Sequence, residues 1–76
     1  MRNGYIEFWH SDRGYGFIEA ENEDGTKARF FVHISAIVSG LPVSGAFVVF
    51  DEGRTSKGQW AVNVSVVPSW TVAVNS

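Results

Sequence analysis

One stretch indicates the architecture of this chain more clearly than any other: Arg13-Gly14-Tyr15-Gly16-Phe17-Ile18. Alternate side chains of a β-strand point to opposite faces, so Tyr15 and Phe17 are expected on one face. Gly16 and Ile18 then share the other face, where Ile18 belongs in a core and Gly16 leaves room for close packing. The stretch therefore predicts a strand that presents two rings on the face opposite the core.

A second segment has a similar pattern, Phe30-Phe31-Val32-His33. If Phe30 and Val32 point into the core, Phe31 and His33 emerge on the other side. A further ring would come from Phe8 or Trp9 on the first strand. Exposed rings leave apolar area in water, and stacking of unpaired bases is one good reason for placing them there.

The other apolar stretches are short and rich in Val, Ile, Phe, Tyr and Trp, which suit a pleated surface. Five strands are predicted, at residues 5–10, 15–20, 28–34, 46–51 and 60–67. Residues 33–37 could form one helical turn at most. A flat sheet this small would leave two edges unprotected. We therefore predict an all-β fold, a five-stranded antiparallel OB-type barrel with at most one short helical turn.

Composition limits the possible functions. The chain has 76 residues, enough for one domain, and its 45% of hydrophobic residues is too high for a disordered protein. Its net charge of −2 argues against a protein that holds nucleic acid mainly through phosphate charge. Neither a secretory signal nor an apolar membrane span is recognisable, and cysteine is absent. We expect a cytoplasmic protein with no membrane partner.

The two motifs together resemble those of the cold-shock domain family. Residues 13–18 resemble its first ribonucleoprotein motif, and residues 30–33 with Ser35-Ala36-Ile37 resemble its second motif and the helical turn that follows. The resemblance implies binding of single-stranded RNA or DNA by an RNA chaperone or a regulator of transcription or translation. We assign residues 1–67 to this domain. Residues 68–76 form a tail that is either disordered or an extra strand.

The resemblance also implies roles for individual residues. The proposed nucleic-acid contacts are ring stacking by Phe8, Tyr15, Phe17, Phe31 and His33, a second ring at Trp9, and backbone or base contacts by Arg13 and Lys57. Arg29 is a further candidate if it faces the bound strand. Trp60 either caps the barrel or lies at the rim of the site.

Some positions depart from the family pattern, and the changes at Tyr5, Glu7 and Ile34 lower the expected affinity. Tyr5 and Glu7 replace lysines that are usual on the first strand, and Glu7 is expected to face the bound strand and repel phosphates. Ile34 replaces an aromatic residue after the motif histidine, and His10 stands where the family usually has Asn.

Other function classes fit less well. Only His10 and His33 could act as bases near neutral pH, and no nucleophile or carboxylate motif accompanies them. We therefore expect no enzyme, no metal, no cofactor and no small-molecule substrate. The alternative is a protein-interaction module whose aromatic face binds a peptide or a second subunit. We expect a monomer, with a dimer as the other possibility.

Overall fold

The computed structural model describes residues 1–55 and 58–67, and for residues 54 and 55 the backbone only. Its strands are β1 (Arg2–His10), β2 (Tyr15–Glu21), β3 (Lys27–His33), β4 (Ile37–Ser39), β5 (Phe47–Thr55) and β6 (Gly58–Val66), with one 3-10 turn at Ile34–Ala36. Within the described ranges, no helix has the length and apolar character needed to span a membrane.

Five of the strands form a closed barrel in the order β3-β2-β1-β5-β6, and β6 pairs with β3 to complete it. The predicted all-β barrel with one short helical turn is confirmed. Two details differ from the prediction. The closing β3–β6 pair is parallel, and so is the pair between β6 and the unpredicted strand β4. Three residues are too few for an alternation pattern, so β4 is recognisable only through its long-range pairing.

Among the residues that the structure describes, nine buried apolar side chains from five strands fill the barrel interior. They are Ile6, Ile18, Ala20, Phe30, Val32, Val48, Phe50, Ala61 and Val64. The rings of Phe30 and Phe50 meet edge to face with centroids 5.0 Å apart, a geometry favoured by aromatic quadrupoles. The predicted inward positions of Ile18, Phe30 and Val32 are confirmed.

A β-bulge changes the facing of side chains along β1. Ile6 pairs with Ile18, but Phe8 pairs with Phe17, so the register shifts by one residue between them. Strict alternation would turn Phe8 inward together with Ile6. Because of the extra residue, Phe8 instead comes beside Phe17 on the outer face.

The same register brings Trp9 opposite Gly16 on the inner side of the sheet. A β-carbon at position 16 would collide with the Phe8 carbonyl oxygen and lie 2.8 Å from Cε3 of Trp9. The close packing expected at Gly16 is therefore confirmed. Only glycine allows the two strands and the Trp9 ring to approach this closely.

Candidate nucleic-acid interface

Six rings form one continuous surface on the outside of the barrel, which we call the aromatic patch. Its members are Phe8 and His10 of β1, Tyr15 and Phe17 of β2, Phe31 of β3 and Trp60 of β6. Each ring has at least one neighbour in the patch, with centroid separations of 4.8 to 5.8 Å. These side chains are neither fully buried nor isolated, so the patch offers ring area to a ligand.

Strand register explains how the centre of the patch is assembled. Phe17 lies between Phe8 on one side and Phe31 on the other as a cross-strand neighbour. Its ring centroid is 5.3 Å from that of Phe8 and 5.8 Å from that of Phe31. The Tyr15 and Phe31 rings stack with an interplanar angle of 27°. Period-two alternation predicted the facing of these β2 and β3 rings.

Two members of the patch were not assigned to the site from the sequence. The His10 ring lies 5.0 Å from both Phe8 and Tyr15 and continues the surface along β1. Its position two residues after Phe8 was a usable signal. Trp60 joins through the parallel pairing of β3 with β6, where it is the register partner of Phe31. This contact spans 29 positions of sequence and leaves no local signal.

The Trp9 side chain does not join the aromatic patch, although the sequence analysis included it among the nucleic-acid contacts. Its side chain packs against the buried core on the far side of β1 from Phe8. The β-bulge is the physical reason, because it reverses the facing that strict alternation from Ile6 would give to Phe8 and Trp9. In this conformation Trp9 supports the sheet beneath the patch.

His33 is exposed and is the cross-strand partner of Tyr15. Its Nδ1 accepts a hydrogen bond from the Ser35 backbone N–H at 3.1 Å and lies 2.9 Å from the Ser35 hydroxyl oxygen. Because Nδ1 is the acceptor, the neutral ring carries its proton on Nε2. His33 therefore caps the 3-10 turn and keeps an N–H donor for a ligand.

Of the two cationic side chains predicted to contact nucleic acid, Arg13 and Lys57, the structure describes Arg13. Arg13 is exposed in the turn between β1 and β2, where its backbone N–H donates to the His10 carbonyl at 3.2 Å. This places Arg13 beside the His10 and Tyr15 end of the patch. Lys57 lies outside the described residues.

Glu7 forms an ion pair with Arg29 at the edge of the patch. The Arg29 Nη2 atom is 2.9 Å from Oε1 and 3.0 Å from Oε2, but only Oε2 accepts a hydrogen bond of good geometry. The guanidinium carbon also lies 5.7 Å from the centroid of the Phe17 ring, within the range of cation–π contact. The Glu7 charge is thus balanced locally, which weakens the expected repulsion of phosphates.

An open cleft of about 360 Å³ adjoins the patch. It is lined by Phe17, Arg29, Phe31, Gly58, Gln59 and Trp60. Its walls combine aromatic faces with one guanidinium group, a combination suited to a flat and polar-edged ring. Within residues 1–55 and 58–67, no cluster of His, Cys, Asp or Glu could hold a metal ion.

Comparison with known proteins gives a consistent result. The sequence profile of the "Cold-shock" DNA-binding domain matches residues 2–67. Cold shock protein 1 of Lactiplantibacillus plantarum is 42% identical over 67 residues, covering 84% of this chain and 96% of that protein. Cold shock protein CspC of Bacillus subtilis is 39% identical over 67 residues, covering 84% of this chain and 96% of that protein. Cold shock-like protein CspB of Bacillus cereus is 36% identical over 66 residues, 83% of this chain and 95% of that protein. The chain therefore belongs to the cold-shock domain family, whose members bind single-stranded nucleic acids and are not enzymes.

Proposed function

We propose that this protein binds single-stranded RNA or DNA by stacking successive bases on the aromatic patch, and that it acts as an RNA chaperone or a regulator of transcription or translation. The supporting observation is the continuity of the patch, six rings with neighbouring centroids no more than 5.8 Å apart. Each base–ring stack is worth about 1–3 kcal/mol by alanine substitution. Three or four stacks are enough for useful affinity without strong phosphate attraction.

The proposed contacts combine the patch with nearby polar groups. The bases are proposed to stack on Phe8, Tyr15, Phe17 and Phe31. His10 and Trp60 are added because of their position in the patch. His33 contributes its Nε2–H as a donor, and Arg13 contributes a cation at one end. Lys57 remains a contact proposed from the family resemblance alone, and Trp9 is left out.

The chaperone role follows from the chemistry of stacking. Every base has a π-face, so stacking tolerates many sequences. A base that stacks on the patch gives up its stacking on neighbouring bases in a hairpin stem, and binding of the unpaired strand therefore favours the open form of a weak hairpin. A hairpin RNA labelled with a fluorophore and a quencher should open more at rising protein concentration. An unchanged signal under conditions of proven single-strand binding would contradict the chaperone role.

Intrinsic fluorescence provides the test of binding itself, because Trp60 belongs to the patch. Titration with a short oligothymidine should quench the tryptophan emission, and the matching duplex should compete poorly. A Trp60→Phe variant should lose most of the change and still bind in a competition assay. Equal competition by duplex would contradict the stacking account.

The alternative is a protein-interaction module with the same aromatic face, and the same titration separates the two. No spectral response at high micromolar oligonucleotide, together with saturable binding of a peptide or a second copy, would favour that module. We propose a monomer acting in the cytoplasm, since a chain without cysteine suits a reducing compartment.

A further inference from the structure

The cleft beside the aromatic patch lies where the barrel closes, and its walls come from three strands. Phe17 belongs to β2, Arg29 and Phe31 belong to β3, and Gln59 and Trp60 belong to β6. The Phe31 ring stands nearly perpendicular to both neighbouring rings, at 77° to Phe17 and 80° to Trp60. A base that lies flat on one of these rings is therefore enclosed from the side by another. The polar groups on its edge then meet the remaining walls of the cleft.

Arg29 supplies a strong hydrogen-bond donor in these walls. Its guanidinium is held at two points, by the ion pair with Glu7 at 2.9 Å and by the contact with the Phe17 ring at 5.7 Å. A guanidinium has five N–H donors and no acceptor. Among the residues that the structure describes, the Arg29 side chain donates only to Glu7, through Nη2. Because this side chain is 57% exposed, its other donors are open to a ligand.

The ion pair with Glu7 directs Arg29 towards bases and away from phosphates. The carboxylate balances the guanidinium charge at close range, so a phosphate gains little attraction there. The edge of a base carries no net charge and needs only the N–H donors, which the ion pair leaves in place. Arg29 is therefore better suited to reading a base than to neutralising the strand.

The donor pattern selects among the bases. A fork of donors binds best to two neighbouring acceptors, and guanine has such a pair in N7 and O6. Adenine places an amino donor beside N7, and thymine has a methyl group beside O4. Cytosine has acceptors at O2 and N3 but a smaller ring, so it gains less from stacking on the aromatic walls. Guanine combines the larger ring with the acceptor pair.

We propose that the cleft binds one guanine base of the single strand, with its ring stacked on the aromatic walls and its N7 and O6 atoms accepting hydrogen bonds from Arg29. Unpaired bases are commonly read in this way, by stacking together with hydrogen bonds to the Hoogsteen edge. Arg29 is thereby a specificity-determining residue, and the protein favours strands that carry guanine at one position. This inference rests on the proposed function, because it requires the strand to lie on the aromatic patch.

Base analogues test the inference in the unaltered protein. A short oligothymidine carries a single guanine that is moved along the strand, and Kd is measured by fluorescence competition. At one position, guanine should bind about 5- to 150-fold more tightly than thymine. Adenine at that position is the matched control, because it has a ring of the same size without the acceptor pair. It should bind at least about 5-fold more weakly than guanine.

Two guanine analogues identify the edge that is read. 7-Deazaguanine lacks the N7 acceptor and should bind about 3- to 10-fold more weakly than guanine at the preferred position. Inosine lacks only the 2-amino group and should bind within about two-fold of guanine. The absence of a preferred guanine position, or equal binding of guanine and 7-deazaguanine, would overturn the proposal.

Arg29→Met tests the residue itself, because methionine keeps a long side chain and removes the donors. The Kd values for guanine and adenine should then agree within about two-fold, and their ratio is not moved by a general loss of affinity. Lys27→Met is the matched control, since it removes a cation from the ion pair with Glu21 on the same strand, outside the patch. It should keep the full guanine preference. An unchanged preference in Arg29→Met would overturn the role of Arg29.

The outcomes separate this inference from the proposed function. Oligothymidine binding without any guanine preference would overturn the inference alone, whereas no binding of any single strand would overturn both. A preference for cytosine that is lost in Arg29→Met would assign the cleft to cytosine and overturn the choice of guanine. If Arg29→Met does not fold, the comparison of guanine with 7-deazaguanine in the unaltered protein decides.

Discussion

Phe30 and Phe31 are adjacent in β3, yet they belong to opposite surfaces of the barrel. Phe30 is 0% exposed and packs on Phe50 in the core. Phe31 is half-buried on the outer face, where its ring meets those of Tyr15 and Trp60. The same residue type therefore serves folding at one position and ligand contact at the next. The period-two geometry of the strand makes this division possible.

Truncation to alanine at Phe30 and at Phe31 tests this difference between the two surfaces most strongly. Phe30→Ala should destabilise the protein by about 3–5 kcal/mol, because it removes a buried ring and leaves a cavity. Phe31→Ala should cost clearly less, since its ring is only half-buried. Urea unfolding followed by circular dichroism measures both. Equal losses would mean that the two faces are not energetically distinct.

The next test concerns the packing that holds the two faces of β1 and β2 in register. Gly16→Ala should destabilise the fold by about 1–3 kcal/mol, because its β-carbon would collide with the Phe8 carbonyl and the Trp9 ring. Gly53→Ala is the matched control, since a β-carbon there would lie 3.5 Å from Val62 Cγ1, an ordinary contact. Similar stability of the two variants would contradict the close approach.

A binding comparison pairs Phe31 with Phe47, a second partly exposed phenylalanine. Phe31→Ala should weaken binding of a short single strand by about 1–3 kcal/mol, which is roughly 5- to 150-fold in Kd. Phe47→Ala should change Kd less than about two-fold, because Phe47 is exposed but lies outside the aromatic patch. Fluorescence competition with one labelled oligonucleotide measures both variants. A larger change in Kd for Phe47→Ala than for Phe31→Ala would show that the ligand binds away from the aromatic patch.

The smallest expected effect is electrostatic. With Arg29 paired to Glu7, only Arg13 and Lys57 remain as expected phosphate contacts, so the log–log salt slope should be about −1 to −2. Glu7→Gln should free Arg29 and steepen the slope by about 0.7. Glu21→Gln is the matched control, because it makes the same charge change in the ion pair of Glu21 with Lys27, outside the aromatic patch. A wild-type slope beyond about −4 would show that phosphate charge dominates binding.

The sequence predicted those parts of the fold and patch that depend on unbroken strand alternation. Ile18, Phe30 and Val32 are in the core, and Tyr15, Phe17 and Phe31 are on the outer face, because β2 and β3 pair without a register shift. This agreement concerns the facing of the side chains, and their role in binding remains a proposal.

Features that depend on irregular or long-range pairing could not be predicted. The bulge in β1 turns Trp9 towards the core and lets Phe8 reach the outer face although Ile6 is buried, and no local pattern marks it. Trp60 joins the patch only when β6 closes the barrel against β3. The Glu7–Arg29 ion pair likewise joins two strands that are separated by β2 in the sheet.

Chemical-shift mapping with a short oligothymidine tests the central claim most directly, because it reports on every surface of the barrel in one experiment. The account predicts chemical-shift changes concentrated on the aromatic patch, above all on Phe8, Tyr15, Phe17, Phe31 and Trp60, with the surface around Phe47 unchanged. Changes confined to the surface around Phe47, or no changes at saturating oligonucleotide, would contradict the claim that stacked rings on β1, β2 and β3 bind the single strand.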